Sequence, residues 1–236
     1  MEAIPVNLGT VVLASLAHAS LSLTTGALLL LYHSSLGKEG RNIKKHTKRL
    51  ATNYIFGTAL LTALIVSSVA FFIYAELNGS LPLEWLAVLT VVLIVLATIV
   101  WFFYYKTGRS TELWLPRSVS KYINNRAKNT DSNTEAFGLG MLACFTEMPF
   151  SLILSVVAAN AVIALPDYLK GVSVLIYTII AILPELILRL SIQRGRSVAE
   201  VQRFRVENKS FLRFLSGFLF LTLATFLIAF TLTGRI

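Results

Sequence analysis

The stretch Met141-Leu142-Ala143-Cys144-Phe145-Thr146-Glu147-Met148-Pro149-Phe150, read as MLACFTEMPF, decides how this chain folds. Around it, Ala136 to Leu165 holds a single charged residue, Glu147. A run of that kind reads as a helix crossing a hydrocarbon core about 30 Å thick, which takes roughly 20 mainly apolar residues. Yet its middle carries a carboxylate, the chain's only cysteine and a helix-breaking proline. Glu147 stands eleven residues beyond Ala136, about 16 Å along a helix at ~1.5 Å per residue. That depth is close to mid-bilayer, where an ionised carboxylate is costly unless it is paired, hydrated or protonated.

The rest of the chain has the same character. Of 236 residues, 56% are hydrophobic and only 14% charged, with a mean hydropathy of +0.72. A soluble domain carries about a quarter charged residues, so the composition reads as that of a membrane protein. The opening MEAIPVN has no basic region ahead of its apolar run, so no cleavable signal peptide is expected. One cysteine excludes an intrachain disulfide framework or a zinc cluster. Six segments are long and apolar enough to span: about 8–32, 53–76, 83–105, 136–165, 171–190 and 211–232. The expected fold is therefore all-α, a polytopic membrane protein of six transmembrane helices.

The basic residues orient these spans. Six of the 21 Lys and Arg fall in Lys38–Arg49, six in Lys106–Lys128 and seven in Arg189–Arg213; only Lys170 and Arg235 lie on the other side. The positive-inside rule then puts the connections at 33–52, 106–135 and 191–210 in the cytoplasm, and both termini outside the cell membrane. The net charge of +9 is thus a topology signal facing anionic lipid, and nucleic acid is not an expected partner. Within the last connection, Arg196–Ser210 (RSVAEVQRFRVENKS) is expected as a solvated loop, with a basic amphipathic surface helix as the alternative.

The chain also repeats itself. Residues 96–109, LATIVWFFYYKTGR, echo residues 223–235, LATFLIAFTLTGR, at an offset of 127 to 126 positions. The 126 offset lays Ser15–Leu23 (SLAHASLSL) on Met141–Pro149 (MLACFTEMP), pairing His18 with Cys144 and Ser20 with Thr146. Each half has three spans, an odd number, so the second half enters the membrane from the opposite side. The expected organisation is a first three-helix repeat over 1–110, a cytoplasmic linker at 111–135 and an inverted second repeat over 136–236.

Polar residues inside the spans are the candidate site. Glu147 should face the bundle interior. Pro149 removes one helical hydrogen bond and frees the Phe145 carbonyl; Pro184 does the same for Ile180. Glu185 lies nearer the cytoplasmic end with Arg189 four residues on, a spacing that favours an ion pair along one helix face over a transport role. His18 is expected at the depth of Glu147, followed by the hydroxyls of Ser20, Ser22, Thr24 and Thr25, residues that commonly serve close helix packing. Cys144 shares a face with Met141 and Met148, which makes a soft metal environment conceivable, although a lone thiol in apolar surroundings is inert. No haem is expected, since only His18 is deeply placed.

Six spans in two inverted halves, each opening on a polar helix, resemble the LysE/DsbD-type superfamily of exporters and cytochrome-c-biogenesis thiol-disulfide carriers. The second half carries the closer likeness: Cys144 and Pro149 in its first helix, Leu183-Pro184 in the next, then KSFLRFLSGFLFLTLATFLIAF. The resemblance implies a membrane architecture and a central site. The thiol-disulfide branch has a cysteine before a proline in both halves, and here His18 stands where the first would be. A dithiol relay needs two exchanging sulfurs, so that chemistry does not carry over within one chain.

The function expected is a secondary transporter or exporter of a small solute, with a metal cation as first guess. Its site would lie between the first and fourth spans, built from Glu147, Cys144, Thr146, Pro149, His18, Ser20, Ser22 and Glu185. The alternatives are a redox protein using Cys144 with a thiol in trans, or a non-transporting assembly subunit. No HExxH, GxSxG or phosphate-binding glycine loop points to an enzyme, no bound cofactor is expected, and the oligomeric state stays open.

Overall fold

A computed structural model describes residues 3–21, 24–33, 41–104 and 117–233. Ten α-helices make up the described residues: α1 (Ala3–Leu21), α2 (Thr24–His33), α3 (Arg41–Glu76), α4 (Leu83–Ile99), α5 (Arg117–Asn129), α6 (Asn133–Ile163), α7 (Asp167–Ala181), α8 (Leu183–Gln193), α9 (Val198–Glu207) and α10 (Lys209–Thr233). A single π-helical turn, Val100–Tyr104, extends α4. Helices α1, α3, α6 and α10, and α4 with its π-turn, are long and apolar enough to cross a membrane; α7 and α8 do so only together. Large apolar side chains turn outward along these helices, among them Phe56, Phe71, Trp85, Val91, Leu175 and Phe218. Water would penalise such a surface, whereas hydrocarbon accommodates it; this is the architecture of a helical membrane protein.

Within the expected span 8–32 the described helices are α1, to Leu21, and α2, from Thr24; residues 22–23 lie outside the described residues. Segment 171–190 bends by 50° between α7 and α8. Pro184 sits in the first turn of α8, where its missing N–H costs nothing, so the residue that stops α7 also starts α8. Pro149 acts differently: α6 runs through it unbroken, with the proline ring on the exposed side.

Two stretches expected as linker or loop are helical. Within 111–135, α5 forms and packs Ile123 and Ala127 into the core; residues 105–116 lie outside the described chain. Within 196–210, α9 replaces the solvated loop. Its capping box explains why: the Ser197 hydroxyl accepts from the Glu200 amide at 3.1 Å while Glu200 Oε2 accepts from Ser197 N–H. Ser132 and Glu135 start α6 with the same reciprocal pair.

Helices α3 and α6 form the spine and run parallel. Thr58 reaches the Gly140 carbonyl at 3.4 Å and Thr62 meets Cys144 Sγ at 3.4 Å, both at a constant offset of 82 residues. They interlock through two glycines. A Cβ on Gly57 would overlap the Phe137 carbonyl, and one on Gly140 the Tyr54 carbonyl, so only hydrogen side chains allow this approach.

The apolar interior divides into two clusters along the bundle. One gathers Val11–Leu21 of α1, Val66 and Ile73 of α3, Leu154–Val162 of α6 and Leu223–Leu227 of α10. The other gathers Ala27–Tyr32 of α2, Leu50–Ile55 of α3 and Ala136–Ala143 of α6, together with α5, α8 and α9. α1 therefore runs antiparallel to α3 and α6. The second cluster lies at the end where the basic helix α5 and the helix α9 sit. Between the clusters is a layer of buried polar side chains.

Candidate functional site

Thr24 is the centre of that layer. Inside an apolar bundle polar groups must be satisfied by protein. At the start of α2 the Thr24 amide donates to Glu147 Oε1 on α6. Its hydroxyl donates to Glu185 Oε1 on α8. Its carbonyl accepts from the Tyr54 hydroxyl on α3 at 2.7 Å. One residue thereby ties three helices together. In α1 the Ser20 carbonyl accepts from Ser216 Oγ of α10 at 3.1 Å.

From Glu147 the polar contacts continue. Glu147 Oε2 lies 3.6 Å from His18 Nε2, and His18 Nδ1 lies 3.1 Å from the Tyr177 hydroxyl on α7. The Tyr177 hydroxyl lies 3.5 Å from Ser155 Oγ on α6. None of these groups reaches solvent: His18 is 5% exposed, Glu147 3%, Thr24 and Glu185 2%, Ser155 1% and Tyr177 0%. The second carboxylate oxygen of Glu185 is buried and has no hydrogen-bond partner within the described protein.

The structure brings together His18, Glu147 and Glu185 of the expected site. Glu185 departs from its expected ion pair with Arg189: it turns inward to Thr24, and among the described residues no ion pair joins it to Arg189. Cys144 faces α3 instead, buried against Thr62. Ser20 and Thr146 turn their hydroxyls back to carbonyls of their own helices, Ala17 and Ala143, each at 2.7 Å. Pro149 stands on the exposed side of α6, and Ser22 lies outside the described residues. Among the described residues no three His, Cys, Asp or Glu side chains converge in a metal-holding group.

Sequence reading singled out none of Thr24, Tyr54, Tyr177 or Ser155 as site residues. One signal was present: Glu147, Ser151 and Ser155 recur every four residues, so three polar groups line one face of an apolar helix, and all three are buried.

The fold and the site together define a helical membrane protein with a buried carboxylate pair joined by Thr24. The chain matches no known protein family, no curated protein and no solved structure.

Proposed function

We propose that this chain is a multi-pass secondary transporter of the cell membrane, moving a small cation or small polar solute through a site around Thr24. The observation that carries the reading is Thr24, which joins carboxylates from two further helices in the bundle interior. Buried ionisable groups from several helices meeting midway through a bundle are how secondary transporters hold substrates and coupling ions. Carboxylates at that depth are expensive, and function is the usual reason for keeping them. The basic residues gathered at one end of the bundle favour that end as cytoplasmic and both termini as external, with the lipid bilayer as the surrounding partner.

Matched burial supports the inverted repeat. In α4 the residues Leu96 and Ala97 are buried and Thr98 exposed; in α10 Leu223 and Ala224 are buried and Thr225 exposed. Ser20 and Thr146, 126 positions apart, make the same bond to equivalent alanines. These parallels fit the layout that the LysE/DsbD-type likeness implies. A redox role through Cys144 is the weaker reading, because the thiol is 1% exposed and bonded to Thr62, out of reach of a partner thiol.

The test is flux. Proteoliposomes of the full chain are assayed one probe at a time with Mn²⁺, Zn²⁺ and labelled amino acids, across an imposed pH gradient. Glu147→Gln is expected to abolish movement of whichever probe the wild type carries. Unchanged flux in that variant would remove Glu147 as the coupling group.

A further inference from the structure

Four side chains from three helices stand in contact in series: Ser155 of α6, Tyr177 of α7, His18 of α1 and Glu147 of α6. Their separations are 3.5, 3.1 and 3.6 Å. Each interior member has two separate polar faces. The Tyr177 hydroxyl both donates and accepts, and imidazole carries one nitrogen toward Tyr177 and the other toward Glu147. All four are buried. Ser155 lies eight residues beyond Glu147 on the same helix, about 12 Å farther along the bundle. The chain therefore runs along the membrane normal, away from the basic end.

We infer that these residues form a proton relay that loads and unloads Glu147, so that the ion coupled to the proposed transport is the proton. The inference rests on the transport reading for its purpose but not for its test. In the loading step a proton reaching Ser155 is passed on as each hydroxyl accepts one proton and releases another. Tyr177 delivers to His18 Nδ1, and the imidazolium releases the Nε2 proton to Glu147 Oε2. No bond other than O–H and N–H is made or broken, and the charge of Glu147 is cancelled at the end. Neutral Glu147 loses its attraction for the Thr24 amide, while Thr24 still holds Glu185 through its hydroxyl. The pair of carboxylates thus senses the proton through one shared residue.

Groups around the relay are Glu185 of α8 and Tyr54 of α3 from other helices and Cys144 on α6 itself, with Arg205 of α9 acting on Glu185 from farther off. None of them lies between the four members. Glu185 Oε2, buried without a partner, marks where a second proton or the solute's own cation would be received.

Time-resolved infrared spectroscopy of the full chain in lipid nanodiscs tests this after a pH jump, by following the carboxylic C=O band that Glu147→Gln removes. Tyr177→Phe is expected to slow the appearance of that band at least tenfold while keeping its final size. Ser155→Ala, a smaller change, should slow it as well and serves if Tyr177→Phe does not fold. Wild-type kinetics in both variants, or no band that depends on Glu147, would overturn the relay. Solute flux is read separately. Flux that needs Glu147 beside unslowed protonation in the variants would remove the relay and leave the transport reading. Slowed protonation in a chain that moves no probe would do the reverse.

Discussion

Thr24 makes its three bonds with three chemically different groups, so substitutions separate them. Thr24→Val keeps the amide bond to Glu147 and the carbonyl bond from Tyr54 but deletes the donor to Glu185. Leaving a buried acceptor unpaired costs about 1–3 kcal/mol, so thermal unfolding in detergent should fall by several degrees in Thr24→Val and little in Thr24→Ser. Equal stability of the two variants would mean that the hydroxyl bond contributes nothing. Cys144→Ser preserves a partner for Thr62 and should leave flux unchanged; loss of flux would revive the redox reading. At this scale the sequence was legible where a residue is chemically out of place: His18 and Glu147 declare themselves by charge in an apolar run. Thr24 and Ser155 do not, because hydroxyls are common in membrane helices as packing residues. Glu185 was misjudged because an i, i+4 arginine is visible in sequence and a partner 161 residues away is not.

Whole helices were easier to read than their interruptions. Hydropathy locates α3, α4, α6 and α10 to within a few residues at most ends, because lipid rewards length and apolarity alone; α3 begins twelve residues before the expected span, where its sequence is basic. The bend between α7 and α8 escapes that logic, because hydropathy carries no sign of it. Similarly, Pro149 and Pro184 look alike in sequence, yet only Pro184 begins a new helix. The α3–α6 spine depends on glycine at both contact points. Gly140→Leu should drive the two helices apart, and overpacking of this kind costs about 1–3 kcal/mol or more. The expected result is a large loss of folded monodisperse protein by size-exclusion chromatography. Gly138, two residues before Gly140 and with open space around it, should accept Gly138→Ala with no such loss.

For the molecule as a whole, the arrangement of charge and the path of the chain agree. The two apolar clusters, the parallel α3 and α6, and the antiparallel α1 are what alternating spans with basic connections on one side require. In a Cys144→Ser background, Ser80→Cys should label with a membrane-impermeant maleimide on intact cells, and Asn129→Cys only after permeabilisation. Labelling of Asn129→Cys on intact cells would invert the orientation. That basic connections gather at one end of the bundle was legible because charge asymmetry is a global property that no local fold detail can hide. The surface helices α5 and α9 were not, since their stability comes from caps and from docking on a core that only the folded chain provides.

The central claim is that the carboxylate held at the start of α2 is the working group of a transporter. Flux through proteoliposomes of wild type and Glu147→Gln, run side by side with matched reconstitution and the same panel of Mn²⁺, Zn²⁺ and amino acids, addresses it most directly. The account expects at least one probe to move in wild type under a pH gradient and none in Glu147→Gln, with both proteins equally folded. Movement of the same probe at the same rate in both would contradict it.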